Sequence, residues 1–79
     1  GKGDWPKAES IFSDAIQTAR MLNAPRELGI VLFYWGQEGA KHRDPKARQH
    51  LEEALSALEQ AGAKPLADRA RTLLEKLGK

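Results

Sequence analysis

Nucleophilic chemistry in this chain would have to start from Ser10, Ser13 or Ser56, because there is no cysteine. None of these serines sits in a G-x-S-x-G turn, and none has a positioned His–acid pair by sequence. His42 and His50 lie eight residues apart across a turn. A zinc site needs three or four convergent ligands, and two histidines without cysteine do not supply them. Both are read as turn and surface residues. Gly36-Gln37-Glu38-Gly39 brackets polar residues with glycines, but it falls inside a helical pattern and follows no strand. It therefore lacks the context of a phosphate-cradling loop. The reading is of a chain with no enzymatic activity, no metal and no cofactor.

Charge offers one more candidate. Lys41, His42, Arg43, Lys46 and Arg48 form the densest basic cluster, which could meet the phosphates of a nucleic acid. Asp44 interrupts it, and no aromatic is interleaved for base stacking. A small basic nucleic-acid-binding module is therefore the alternative, not the leading reading. Glu52, Glu53 and Glu59, with Arg48 and Lys64, read as a solvated face, since exposed ion pairs contribute little. Net charge is only +2 with 30% charged residues, well mixed. No apolar run approaches the ~20 residues of a membrane span. The chain opens on Gly1-Lys2-Gly3, with no initiator Met and no signal peptide. The expectation is a cytoplasmic setting and a piece cut from a longer protein, or a designed or excised module.

Four helices must position whatever these residues do. Trp5, Ala8, Phe12, Ala15, Ala19 and Leu22 recur three and four apart, and Ile11 and Ile16 widen that stripe. Asp4 is the expected N-cap, Pro6 suits the first turn, Asn23 suits a left-handed stop, and Pro25 forbids simple continuation. Pro25 also opens the second helix, with Leu28, Val31, Leu32, Trp35 and Gly39 facing inward. Ile30, Phe33 and Tyr34 make this helix apolar nearly all round, so it is expected to be covered on more than one side. Its glycines, Gly29, Gly36 and Gly39, point to close approach of another backbone. Asp44 caps a third helix with Pro45 in its first turn; Ala47, Leu51, Ala54, Leu55, Leu58 and Ala61 form its stripe, and Gly62 stops it. A fourth runs over 65–77, with Leu66, Ala70, Leu73, Leu74 and Leu77 on one face and Gly78 as its stop. Nothing alternates with period two, so no strand is expected. Connections of two to four residues predict antiparallel neighbours. The fold class is all-α, built of antiparallel helical hairpins in a single domain over 1–79.

The chain echoes itself. Pro6-Lys7-Ala8 aligns with Pro45-Lys46-Ala47, and Phe12, Ala15 and Ile16 align with Leu51, Ala54 and Leu55, all at an offset of 39 residues. Gly3-Asp4-Trp5-Pro6-Lys7-Ala8, then Phe12, Ala15 and Ile16, resembles the second helix of a tetratricopeptide repeat, G-D-[YW]-x-x-A-x-x-x-[FY]-x-x-A-[LI]. Trp35-Gly36 resembles the Leu-Gly pair of such a repeat's first helix. Leu28 to Gly78, with Gly62-Ala63-Lys64-Pro65-Leu66-Ala67-Asp68-Arg69-Ala70-Arg71, is similar to the carboxy-terminal arrays of bacterial signalling proteins. These are ATPase regulators of the LuxR/MalT kind and related cyclases and kinases. The offset exceeds the about 34 residues of the ordinary repeat. Spacing from Ala47 would put Trp35 at the small-residue position, but an indole does not fit there, so Gly36 is assigned to it.

The resemblance implies a fragment of a right-handed superhelix: one and a half repeats plus a capping helix over 65–77. Ala8, Phe12, Ala15, Gly36, Ala47, Leu51 and Ala54 would be its structural positions, with all four alanines almost fully buried. It implies a protein-interaction scaffold within a signalling or transcription-regulatory protein. Ile30, Phe33, Gln37, Ala40 and Lys41 would line the concave, partner-binding side. The Lys/Asn/Arg clamp that such domains use for acidic tails is not carried over, because this sequence lacks the Asn and most of the charge. Trp5, Ile11, Phe12 and Ile16 would form a wide apolar face that pairs two copies of the isolated chain, or exchanges the first helix between them. The partner is expected to be protein, a helix, a peptide or the rest of the parent chain.

Overall fold

The computed structural model describes residues 4–78. Four helices follow one another: α1 (Asp4–Met21), α2 (Pro25–Lys41), α3 (Ala47–Gln60) and α4 (Lys64–Leu77). No strand occurs among the described residues. Gly3, the start of the repeat-like signature, lies outside them.

The first three helices end in the same way. Asn23, Arg43 and Gly62 adopt positive φ of 52°, 56° and 75°. In each case the next amide turns back to the carbonyl five residues earlier: Ala24 to Ala19 at 2.9 Å, Asp44 to Gly39 at 2.8 Å, Ala63 to Leu58 at 2.9 Å. These are Schellman stops, which satisfy carbonyls that the helix leaves unpaired. Asn23 and Gly62 suit the left-handed conformation; Arg43 adopts it without that help. Gly78, expected as a fourth such stop, is right-handed at φ −72°.

Two boundaries differ from expectation. α3 begins at Ala47, not at Pro45, and the connection before it is five residues long. Asp44 still caps the turn, accepting the Lys46 amide at 2.9 Å, and Ala47 N–H bonds Asp44 C=O at 3.0 Å. That tight first turn is what Pro45 permits, having no N–H to leave unpaired. α4 begins at Lys64, with Pro65 in its first turn.

The helices are antiparallel. A Cβ built on Gly29 would stand 2.7 Å from Leu58 Cγ, and one on Gly36 2.5 Å from Leu51 Cγ. These two glycines let the α2 backbone close on α3, and Gly36 takes the small-residue place that an indole could not. Trp35 turns away, between α1 and α3. Leu32, Phe33, Leu51, Ala54, Leu58, Ala67 and Ala70 fill the core, and α1 adds Ile16 to it. The Cα envelope is 35 × 31 × 15 Å. Helices of 14 to 18 residues are about 21–27 Å long at 1.5 Å per residue. A closed bundle would be about as thick as it is wide, whereas this molecule is half as thick as wide. It is an open row of hairpins with two broad faces.

Candidate docking site between α2 and α4

α2 is held on two sides. Its glycines meet α3, and Trp35 meets Phe12 of α1 (ring centroids 5.9 Å) and His50 of α3 (3.9 Å). The third side carries Ile30, Tyr34, Gln37 and Lys41, three and four residues apart. Ile30 and Gln37 are half-buried, and Tyr34 is 45% exposed. Gln37 of this stripe, with Phe33 beside it, meets α4 across a groove of about 290 Å³.

Phe33 is the floor of that groove. Arg69 of α4 lies over its ring, 5.3 Å from the centroid, a cation–π contact worth about 0.5–1 kcal/mol at an exposed site. Gln37, Thr72, Leu73 and Lys76 complete the walls. Asp68 is committed to Arg71 at 3.4 Å, and Arg71 also meets Glu59 at 2.9 Å. Arg69 and Lys76 have no carboxylate partner among the described residues. The groove thus joins Gln37 and Leu73 to two cations without a carboxylate partner, over a covered aromatic floor.

The expected partner-binding residues divide. Ile30, Gln37 and Lys41 face the open side, and Lys41 pairs with Glu38 at 3.1 Å. Phe33 is 0% exposed, because α4 and Arg69 cover it, so no partner reaches it directly. Ala40 lies towards the α2–α3 turn, in a hollow with Arg43, Arg48 and Leu77. Arg69 and Lys76 are members of the site that sequence reasoning missed, because only packing shows which side of α4 borders α2. Tyr34 stands on the open side of α2, outside the groove lining.

The expected pairing face is also corrected. Ile16 is 6% exposed, buried against α2. Phe12 is half-buried on Trp35. Trp5 stacks on His42 at 4.5 Å and donates its Nε1–H to Asp44 Oδ2 at 3.3 Å. Of that set only Ile11 is widely exposed, at 68%. Ala47, Leu51 and Ala54 are buried as expected, whereas Ala8 and Ala15 are half-buried. The cause is simple: α3 lies between α2 and α4, while the α1 backbone packs on α2 and reaches α3 only through side chains such as Arg20.

The basic turn is engaged in part: Arg43, Lys46 and Arg48 have no carboxylate partner among the described residues. His42 stacks on Trp5, Lys41 pairs with Glu38, and Asp44 binds across the turn. The Lys46 amide, above all, holds the Asp44 carboxyl below its ordinary value; the Trp5 indole helps and partial burial opposes. His50 is pushed below its ordinary value by burial, against the pull of Glu53, Asp44 and Glu9 and with the push of Lys46. Neither histidine joins a metal-binding group among the described residues. Trp35 Nε1 is buried without a hydrogen-bond partner. No described helix is long and apolar enough to cross a membrane. Comparison with family models, curated proteins and solved structures gives no match for this chain.

Proposed function

We infer that this chain is a non-enzymatic protein-interaction module of the tetratricopeptide type, working within a larger signalling or regulatory protein. The observation that carries the reading is the α2–α4 groove. Open hairpin rows present one continuous side to a partner, and binding there comes from apolar burial and complementary polar contacts rather than from chemistry. Leu73 offers apolar surface, Ile30 and Tyr34 flank the groove on the open side of α2, and Arg69 and Lys76 offer cations with no carboxylate partner among the described residues. The 39-residue echo and the small-residue seam at Gly29 and Gly36 support the repeat assignment.

Panning a displayed random-peptide library against the 79-residue chain tests this reading. The expected result is an enriched peptide family whose binding is lost in Gln37→Ala and Arg69→Ala and kept in Lys7→Ala. No enrichment, or binding that ignores both groove variants, would overturn it. A salt titration on generic duplex DNA separates the alternative: tight binding that weakens steeply with salt would favour the nucleic-acid reading.

A further inference from the structure

α1 and α2 meet along a hollow of about 280 Å³, lined by Asp4, Trp5, Ala8 and Phe12 of α1, by Glu38 of α2 and by His42 just beyond it. Its chemistry is the reverse of the other hollows. Those between α2 and α4, between α3 and α4 and at the two later turns are each lined by arginine or lysine. Here two aromatic rings and an imidazole stand with two carboxylates, and neither arginine nor lysine lines the wall among the described residues. The rings are held in place. Trp5 stacks on His42 at 4.5 Å and bonds Asp44 at 3.3 Å, and Phe12 stacks on Trp35 at 5.9 Å. Trp5, Ala8 and Phe12 recur three and four apart, so they share one side of α1. The small Ala8 separates the two rings.

We propose that this hollow binds a methylated ammonium group, best in its quaternary form. Charge selects a cation: aromatic faces attract one, tryptophan most strongly, and Asp4 and Glu38 add carboxylates. Methylation follows from the lining. A bare ammonium is strongly hydrated and needs acceptors for its three N–H groups. The rings and the Ala8 methyl offer none, whereas N-methyl groups meet them as apolar surface. Size limits the ligand further. The hollow is just below the roughly 300–1,000 Å³ of pockets for drug-sized ligands, so it suits one head group or one side chain. Glu38 already attracts a cation, the Lys41 ammonium at 3.1 Å. That pair is exposed and contributes little, so an incoming head group can displace it. A free quaternary amine and a trimethylated lysine of a peptide carry the same chemistry, and the test separates them. The hollow shares no lining residue with the α2–α4 groove, so the two readings fail independently.

Titrating choline into the isotope-labelled chain, in exchange for sodium at constant ionic strength, tests it by NMR. The Trp5 indole N–H and the Ala8 and Glu38 amides should shift saturably, with a Kd on the order of 1–10 mM. The tert-butyl analogue of choline, the same shape without the charge, should bind about fivefold or more weakly. Glu38→Gln should weaken choline about threefold or more. Its only ion pair among the described residues is the exposed one with Lys41, so helical circular dichroism should be unchanged. Glu59→Gln, at the other end of α3, should leave choline binding as it is. Trp5→Leu should abolish it, and Glu38→Gln carries the test if Trp5→Leu loosens α1. A short peptide with trimethyllysine names the source: tighter binding than choline assigns the hollow to a peptide side chain, equal or weaker binding to a free amine. No saturable shift up to about 100 mM choline overturns the proposal. So does equal binding of the tert-butyl analogue, or an affinity that Glu38→Gln leaves unchanged or that Glu59→Gln lowers equally.

Discussion

Arg43 holds a conformation that its side chain disfavours. A left-handed residue with a Cβ costs about 1–2 kcal/mol, and the Schellman stop requires that conformation whatever the residue. Arg43→Gly should therefore raise stability by about 0.5–1 kcal/mol after glycine's greater unfolded-state entropy is subtracted. For a domain of this size that is a thermal midpoint higher by roughly 3–6 °C. Gly62→Ala is the mirror test. Nothing stands within 4 Å of a Cβ built there, yet its φ is +75°, so the expected loss of about 1 kcal/mol is backbone strain alone. His50 gives a pH dependence with a definite sign. Its folded pKa is lowered by burial against Trp35, so the unfolded chain takes up a proton first as pH falls. The stability tied to the neutral ring is complete above about pH 6.5 and drains away as pH drops towards the folded value. Urea titrations between pH 7.5 and 5 should show falling stability, and His50→Phe, which keeps the stack, should flatten that slope over the range where histidine titrates. A slope that His50→Phe leaves unchanged would place the proton uptake elsewhere.

Between elements, the α2–α3 seam decides which glycine is structural. Gly36→Ala would push a Cβ to 2.5 Å from Leu51 Cγ and 3.1 Å from the Ala47 carbonyl. Leu51 is fully buried and has nowhere to go. Overpacking of about 1–3 kcal/mol should outweigh the roughly 1 kcal/mol gained in helix propensity. At Gly39 the nearest atom is the Ala47 Cβ at 3.3 Å, so Gly39→Ala should be close to neutral. Paired thermal melts of the two variants check the contrast, and equal effects would refute this account of the seam. Packing also sorts the alanines: Ala54→Leu should be costly, while Ala15→Leu should be tolerated in the half-open α1. This is where sequence and structure part. Helix identity, the places of the three connections though not the length of the second, and the close approach at Gly36 were legible, because apolar spacing, prolines and small residues act locally. The burial of Phe33 and the openness of Ala8 and Ala15 were not, because they depend on which helices lie on either side. The stacks of Trp5 on His42 and Trp35 on His50 were invisible for the same reason. They join residues 37 and 15 apart in the sequence, and no spacing rule predicts a contact between a helix and a distant turn or between facing side chains of two helices.

For the molecule as a whole, stability is unevenly shared. Of the eight clustered core residues, only Ile16 comes from α1; the others belong to α2, α3 and α4. α1 is further held by two aromatic stacks, the Trp5–Asp44 hydrogen bond and the exposed Arg20–Glu53 pair at 3.4 Å. The exposed pair adds little, of order 0–1 kcal/mol. α4, by contrast, covers Phe33 and the side of α3 that α2 leaves open. Removing residues 64–79 would uncover that face in a chain whose core is already thin, because a domain this small buries only about 60% of its unfolded surface. The truncated chain should aggregate or lose its cooperative melt. The intact molecule should show the same hierarchy without any deletion. Native-state hydrogen exchange should find α1 amides opening through a partial unfolding that leaves α2 and α3 protected. The measurement is made at low protein concentration. There the slowest α1 amides should exchange about tenfold or more faster than the slowest of α3, a gap of at least ~1.4 kcal/mol. Trp5→Ala should widen the gap by loosening α1 alone, leaving the α3 amides unchanged. Equal protection across all four helices would mean that the open row unfolds as one unit and that α1 is as integral as the rest.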